Sequence, residues 1–185
     1  MQPFLSSTQD WRRPFWLGLL ITSSIAFTFA FACAVPYAAF AAATALTLPR
    51  RDAVILMVGV WLANQLTGFL FLHYPLDANC FEWGAALGVV ALLSLFAGRI
   101  TAFRLKNMNP IICCTLACLA AFLAYETSCY GFALVLGGCE DFTLPIQARI
   151  FAINACALVG LFAVNRAGSS LRLTPIYSGL ARSHA

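Results

Sequence analysis

No charged residue occurs over the 35 positions of 14–48, and this gap limits the chain to a narrow class of folds. An α-helix needs about twenty apolar residues to cross roughly 30 Å of hydrocarbon, so the stretch is too long for one span and sufficient for two short ones. Val35, Pro36 and Tyr37 supply the break. The composition, 62% hydrophobic and 10% charged, argues against a water-soluble enzyme.

Four further apolar blocks follow, and together they predict an all-α polytopic membrane protein with six transmembrane helices. We expect a single membrane domain over 1–185 that ends in a short polar tail at 166–185. The expected helices cover approximately 14–34, 37–48, 53–72, 83–98, 110–136 and 146–165.

The charges are separated by sign along the chain. Eleven basic and seven acidic residues give a net charge of +4, but the basic clusters lie at the ends of apolar blocks. Their position therefore indicates orientation in a membrane, and we expect no nucleic-acid partner. The positive-inside rule predicts cytoplasmic N- and C-termini, with the acidic loops 73–82 and 137–145 facing outward.

Small residues recur at four-residue spacing in the first two expected helices. Ala26, Ala30 and Ala34 form one such stripe, and the second helix repeats the pattern from Ala38 and Ala39. Such stripes let helices approach closely in lipid. Packing within the bundle and docking to a partner membrane protein are both compatible with this spacing.

Polar side chains at membrane depth form a second pattern. Counting along the helices from the outer loops, Asn64, Gln65, Glu126 and Asn154 fall about 12–15 Å in. They are expected to form one layer, either the floor of an outward-facing cavity or an interhelical clamp. Arg149, higher in the last helix, is expected to pair with Glu140, Asp141 or a ligand.

The outer loop from His73 to Trp83 carries the densest chemistry in the chain, and three interpretations stay open. Cys80 and Cys139 would form a disulfide in an oxidising periplasm. His73, Asp77 and Cys80 would form a metal site. Alternatively, Cys80 is a single thiol that meets a ligand. With Glu82 added, the second interpretation describes a permease for divalent transition metals.

The segment LDANCFEW at 76–83, together with six helices and the alanine stripe, resembles the BtuM family. These proteins are the cobalamin-specific S-components of energy-coupling-factor (ECF) transporters of proteobacteria. The resemblance covers the whole membrane bundle, and its most specific element is the loop cysteine. It implies an S-component-like bundle in the bacterial inner membrane that takes up cobalamin through a pocket open to the periplasm.

The resemblance assigns roles to individual residues. It implies that Cys80 ligates the cobalt of cobalamin, with no bare metal ion expected. It also implies that Ala26, Ala30 and Ala34 dock onto a coupling module, made of a transmembrane subunit and two ATPases. No Walker motif occurs in the chain, so energised transport would need such a partner or an ion gradient.

A corrin is a broad, mostly apolar disc with amides around its rim, and residues at the outer helix ends match that chemistry. A soft thiolate is a good donor to its cobalt. An axial thiolate would also weaken the bond on the opposite face and assist loss of an upper ligand such as cyanide. The residues expected at the faces of the disc are Tyr74, Phe81, Trp83, Tyr130 and Phe142, and those at its rim are Asn79, Thr143 and Arg149.

Overall fold

The computed structural model describes residues 11–31, 35–171 and 173–174, and all regular secondary structure in these ranges is helical. It comprises six α-helices and one 3₁₀ turn at Cys139–Asp141. The helices are α1 Arg12–Phe31, α2 Tyr37–Thr47, α3 Arg50–Leu70, α4 Ala78–Arg104, α5 Pro110–Leu136 and α6 Leu144–Ser170.

Two helices are longer than their apolar blocks. α4 begins at Ala78 instead of 83, because the Asp77 side chain accepts a hydrogen bond from the Cys80 backbone N–H and caps the helix. α4 continues to Arg104 and α6 to Ser170, so the tail expected at 166–185 starts within a helix. Charged residues mark where a membrane segment ends, but they do not stop a helix, since long basic side chains reach toward water.

The second helix is the shortest of the six described helices, close to the expected range 37–48. α2 has eleven residues, about 16 Å of helix, which is too short for a bilayer of roughly 30 Å. Its residues from Tyr37 to Thr44 are buried, and it packs against α3, α4, α5 and α6. In the described part of the chain, five helices are long and apolar enough to cross a membrane. α2 is thus the protein-covered centre of the bundle.

The two ends of the bundle differ in the contacts that join neighbouring helices. At the first, which we call the basic end, Arg13 at the start of α1 forms a two-pronged ion pair with buried Asp52 in α3. At the same end, Arg99 donates to the Leu48 carbonyl at 2.9 Å. At the opposite, acidic end, Asn79 of α4 donates to the Leu136 carbonyl of α5 at 3.0 Å.

The two alanine stripes lie in different environments. In α1, Ala26 and Ala30 are exposed, whereas Ser24 and Thr28 on the other face are buried. In α2, by contrast, the stripe residues Ala38, Ala39, Ala42 and Ala43 are all buried. The spacing left packing within the bundle and docking to a partner open; the stripe of α2 packs within the bundle, whereas Ala26 and Ala30 do not. Ala34 lies outside the described residues.

Candidate functional site

A cavity of about 470 Å³ lies at the acidic end of the bundle, between α3, α4, α5 and α6. The lining residues come from these four helices and from the connections between α3 and α4 and between α5 and α6. The cavity reaches the surface beside exposed Pro75 and Asp141. Its lining consists of Asn64, Gln65, Tyr74, Pro75, Cys80, Trp83, Gly84, Leu87, Tyr125, Glu126, Cys129, Gly138, Asp141, Phe142, Ile146, Gln147 and Ile150.

Cys80 is a half-buried free thiol in the cavity wall. It occupies the first turn of α4, where the Asp77 oxygen receives its backbone N–H at 2.8 Å. The sequence pattern located Cys80 in a flexible loop, but the capped helix holds it on a rigid element. A group on a helix keeps a better-defined direction than one on a loop, which suits a side chain that meets a ligand.

Three members of the expected polar layer line the cavity, namely Asn64, Gln65 and Glu126. With its amide nitrogen toward α5, Gln147 donates hydrogen bonds to both oxygens of the Glu126 carboxyl group. A carboxyl group at this depth is costly to leave alone, and the amide supplies its partner.

The fourth member, Asn154, is separate from the cavity. Its side chain accepts from the Ala39 backbone N–H at 3.0 Å and donates to the Ile150 carbonyl, so it joins α6 to the start of α2. Asn154 therefore acts as an interhelical clamp. The two interpretations of the polar layer, cavity floor and clamp, apply to different residues.

Of the residues expected around a disc-shaped ligand, Tyr74, Cys80, Trp83 and Phe142 line the cavity. Asn79 is used to join α4 to α5, and Phe81 stacks on Phe69 with ring centroids 5.0 Å apart. Tyr130 meets the edge of Phe142 at 5.2 Å and is half exposed on the outside of the bundle. These three side chains are therefore not part of the cavity lining, and their contact with a substrate stays a prediction.

Two further rim residues, Thr143 and Arg149, are also absent from the cavity lining. Both are exposed, and Thr143 precedes the first residue of α6. Arg149 forms no ion pair with Glu140 or Asp141, so of its expected partners only a ligand stays a prediction. Arg149 lies on the exposed side of α6, whereas Glu140 and Asp141 lie in the connection before α6 begins.

The loop does not assemble a metal site from His73, Asp77, Cys80 and Glu82. No group of three His, Cys, Asp or Glu side chains with metal-binding geometry occurs among the described residues. Asp77 caps α4, and Glu82 is not among the residues that line the cavity. The proposed disulfide is not formed either, since Cys80 and Cys139 both carry free thiols.

Sequence reasoning missed several residues of the cavity wall. Tyr125 and Cys129, one turn apart, flank Glu126 in α5, and Gln147 faces it from α6. Their positions beside a buried carboxyl group were a usable signal, because residues three or four apart share a helix face. No pattern marked Gly84, whose missing side chain makes room for Gln65.

Comparisons of the chain with protein-family models, with curated proteins and with solved structures find no match. Its assignment as an all-helical protein with membrane-spanning helices therefore stands on the sequence and the structure themselves.

Proposed function

We propose that this protein is a cobalamin-binding membrane subunit for vitamin B12 uptake in the bacterial inner membrane, with Cys80 as the axial ligand to cobalt. The observation that carries the proposal is the position of the Cys80 thiol, which lies free in the wall of a cavity among Tyr74, Trp83 and Phe142. Aromatic faces around the Cys80 sulfur suit a flat apolar ring with a transition metal at its centre. The second thiol of the lining, Cys129, is buried.

The volume of the cavity limits how the substrate sits. Pockets of roughly 300–1,000 Å³ enclose drug-sized ligands, and a corrinoid is larger than these. The 470 Å³ here would take one face and edge of the corrin, while the remainder projects past Pro75 and Asp141. The exposed connections between α3 and α4 and between α5 and α6 would then contact the outer part of the substrate.

Coordination to cobalt would make Cys80 a thiolate, a form that nearby carboxylates otherwise disfavour. A thiol that coordinates a metal loses its proton to solvent, because the metal charge outweighs nearby carboxylates. Sulfur bound on one axial face displaces the nucleotide base and weakens the bond to the opposite ligand. Under reducing conditions this would assist the departure of cyanide from cyanocobalamin.

Orientation follows from charge. The basic end carries Arg50, Arg104 and Lys106, which the positive-inside rule assigns to the cytoplasm. Because α1 and α3 both begin at this end, where Arg13 pairs with Asp52, the connection that contains the short α2 would return the chain across the membrane. Both termini would then be cytoplasmic, and the cavity would open to the periplasm. On the outside of α1, Ala26 and Ala30 present small side chains toward lipid. With Ala34 they would form the docking surface for an ECF-type coupling module with two ATPases.

The absorbance spectrum of bound corrinoid tests the proposal directly. Purified wild-type protein should bind cobalamin in a one-to-one ratio and shift its spectrum, because sulfur replaces the nitrogen base on cobalt. Cys80→Ala should abolish that shift and cobalamin-dependent growth, while the protein still folds, since the half-buried side chain leaves little cavity behind.

Cys139→Ala is the matched control, because Cys139 is a free thiol at the same end of the bundle but lies outside the cavity lining. It should retain the spectral shift and uptake. An unchanged spectrum with the wild type, or full uptake by Cys80→Ala, would refute cobalt ligation by this residue.

A further inference from the structure

The floor of the cavity holds two buried polar atoms without partners. Asn64 Oδ1 and the Tyr37 hydroxyl oxygen make no hydrogen bond within the described structure, although the two residues are only 3% and 2% exposed. The Asn64 side chain faces the Tyr37 hydroxyl oxygen, but their contact does not have the geometry of a hydrogen bond. A buried polar atom without a partner is costly, and native structures rarely keep one without a reason.

Asn64 faces the cavity, whereas Tyr37 lies directly beneath the floor at the start of α2. The Tyr37 ring packs beside the ring of Tyr125, with centroids 6.5 Å apart, and Tyr125 is itself part of the lining. The neighbouring polar pair, Glu126 and Gln147, is already satisfied by its own hydrogen bonds. Among the buried polar atoms described at and beneath the floor, Asn64 Oδ1 and the Tyr37 hydroxyl oxygen are therefore the two without a hydrogen bond.

The chemistry of these two atoms selects the group that would fill the gap. Asn64 Oδ1 can only accept a hydrogen bond, and a tyrosine hydroxyl can donate one. A primary amide matches both, because its nitrogen donates and its carbonyl oxygen accepts. A carboxylate matches only the hydroxyl, and its charge would face the Asn64 oxygen.

We propose that the cavity floor is a subsite for one peripheral primary amide of the substrate, with Asn64 accepting from the amide nitrogen and Tyr37 donating to its carbonyl. The inference rests on the proposed function, since a corrin carries such amides around its rim. It assigns substrate specificity to Asn64 and Tyr37, whereas Cys80 would bind the cobalt.

The test uses purified protein with cobalamin and with derivatives in which one peripheral amide has been hydrolysed to a carboxylate. Wild-type protein should bind one of these derivatives about 10- to 100-fold more weakly than cobalamin, because one buried partner is lost. Asn64→Leu should weaken cobalamin binding by a similar factor, and it should no longer distinguish that derivative from cobalamin.

Two further variants separate recognition from folding. Tyr37→Phe removes one oxygen without changing the ring, and it should reduce the same discrimination even if Asn64→Leu does not fold. Thr67→Val is the control, since Thr67 is buried one turn along α3 and does not line the cavity. It should bind cobalamin and the derivatives as the wild type does.

Equal wild-type affinity for cobalamin and all the derivatives would overturn the subsite. So would wild-type affinity of both Asn64→Leu and Tyr37→Phe, which would mean that the gap holds only water. The sulfur-induced spectral shift with cobalamin reports separately on the proposed function. If the shift persists, only the subsite fails, and if no corrinoid binds, both proposals fail.

Discussion

Asp77 determines where Cys80 lies in the fold. Its side chain accepts the Cys80 backbone N–H and thereby starts α4 at Ala78, five residues before the apolar block begins. The sequence suggested a metal ligand at this position, and the structure uses the carboxylate as a helix cap. An aspartate just before a helix, whose side chain accepts a backbone N–H of the first turn, is a typical N-cap. The polar character of the segment hid the start of the helix in the sequence.

Replacing Asp77 distinguishes these two uses. Asp77→Ala should lower the free energy of unfolding by about 1 kcal/mol and weaken cobalt ligation, because the first turn of α4 loses its cap and Cys80 loses its fixed direction. Asp77→Asn should retain both properties, since asparagine caps helices equally well. Chemical denaturation and the corrinoid spectrum measure the two effects. Equal damage from both variants would show that the carboxylate charge itself is required, as a metal site would need.

The contact between α3 and α4 depends on a glycine. A Cβ at Gly84 would lie 2.7 Å from Gln65 Oε1, and the Gly84 carbonyl accepts a hydrogen bond from Trp61 Nε1 at 2.8 Å. Gln65 can therefore lie against the backbone of α4 at the cavity wall. The sequence marked Gln65 as a deep polar residue, but it gave no sign of this close approach, because proximity of two helices is a property of their packing.

Gly84→Ala should weaken corrinoid binding about tenfold, since the added methyl group pushes the Gln65 side chain toward the cavity at a cost typical of overpacking. Gly131→Ala is the matched control, because Gly131 is also helical but has open space where a Cβ would be. It should bind normally and be slightly more stable, as alanine favours helix. Titration of both variants with cobalamin provides the comparison, and equal affinities would contradict the role given to Gly84.

The two alanine stripes predict opposite results for the same substitution. Ala30→Leu should leave folding and cobalamin binding in detergent intact, because the side chain is exposed, but it should impair uptake by separating the docking surface from its partner. Ala42→Leu should destabilise the bundle by at least 1–3 kcal/mol, since Ala42 is fully buried in α2. Loss of binding by Ala30→Leu, measured alongside thermal unfolding, would show that α1 uses its stripe for internal packing.

Hydropathy and charge predicted the helical class of the whole molecule and the number of its helices, because a bilayer requires long apolar segments with charges at their ends. They also predicted a short second helix over 37–48, but they did not predict that α2 is buried at the centre of the bundle. Tyr37–Thr47 is as apolar as a spanning segment, and only its neighbours reveal its position. The cavity is lined by residues from four helices and the connections between them, so its lining was only partly accessible to sequence reasoning.

The orientation of the bundle can be tested with its own thiols. Cys139 is exposed at the acidic end, and Lys106 is exposed at the basic end between α4 and α5. In a Cys80→Ser background, a membrane-impermeant maleimide added to cells with a permeabilised outer membrane should label Cys139. When Cys139→Ser and Lys106→Cys are introduced, labelling should require disruption of the inner membrane. One long helix, α5, separates the two positions, so they cannot share a side if it spans the bilayer. Labelling of the Lys106→Cys variant from outside would reverse the assigned orientation and direct the cavity toward the cytoplasm.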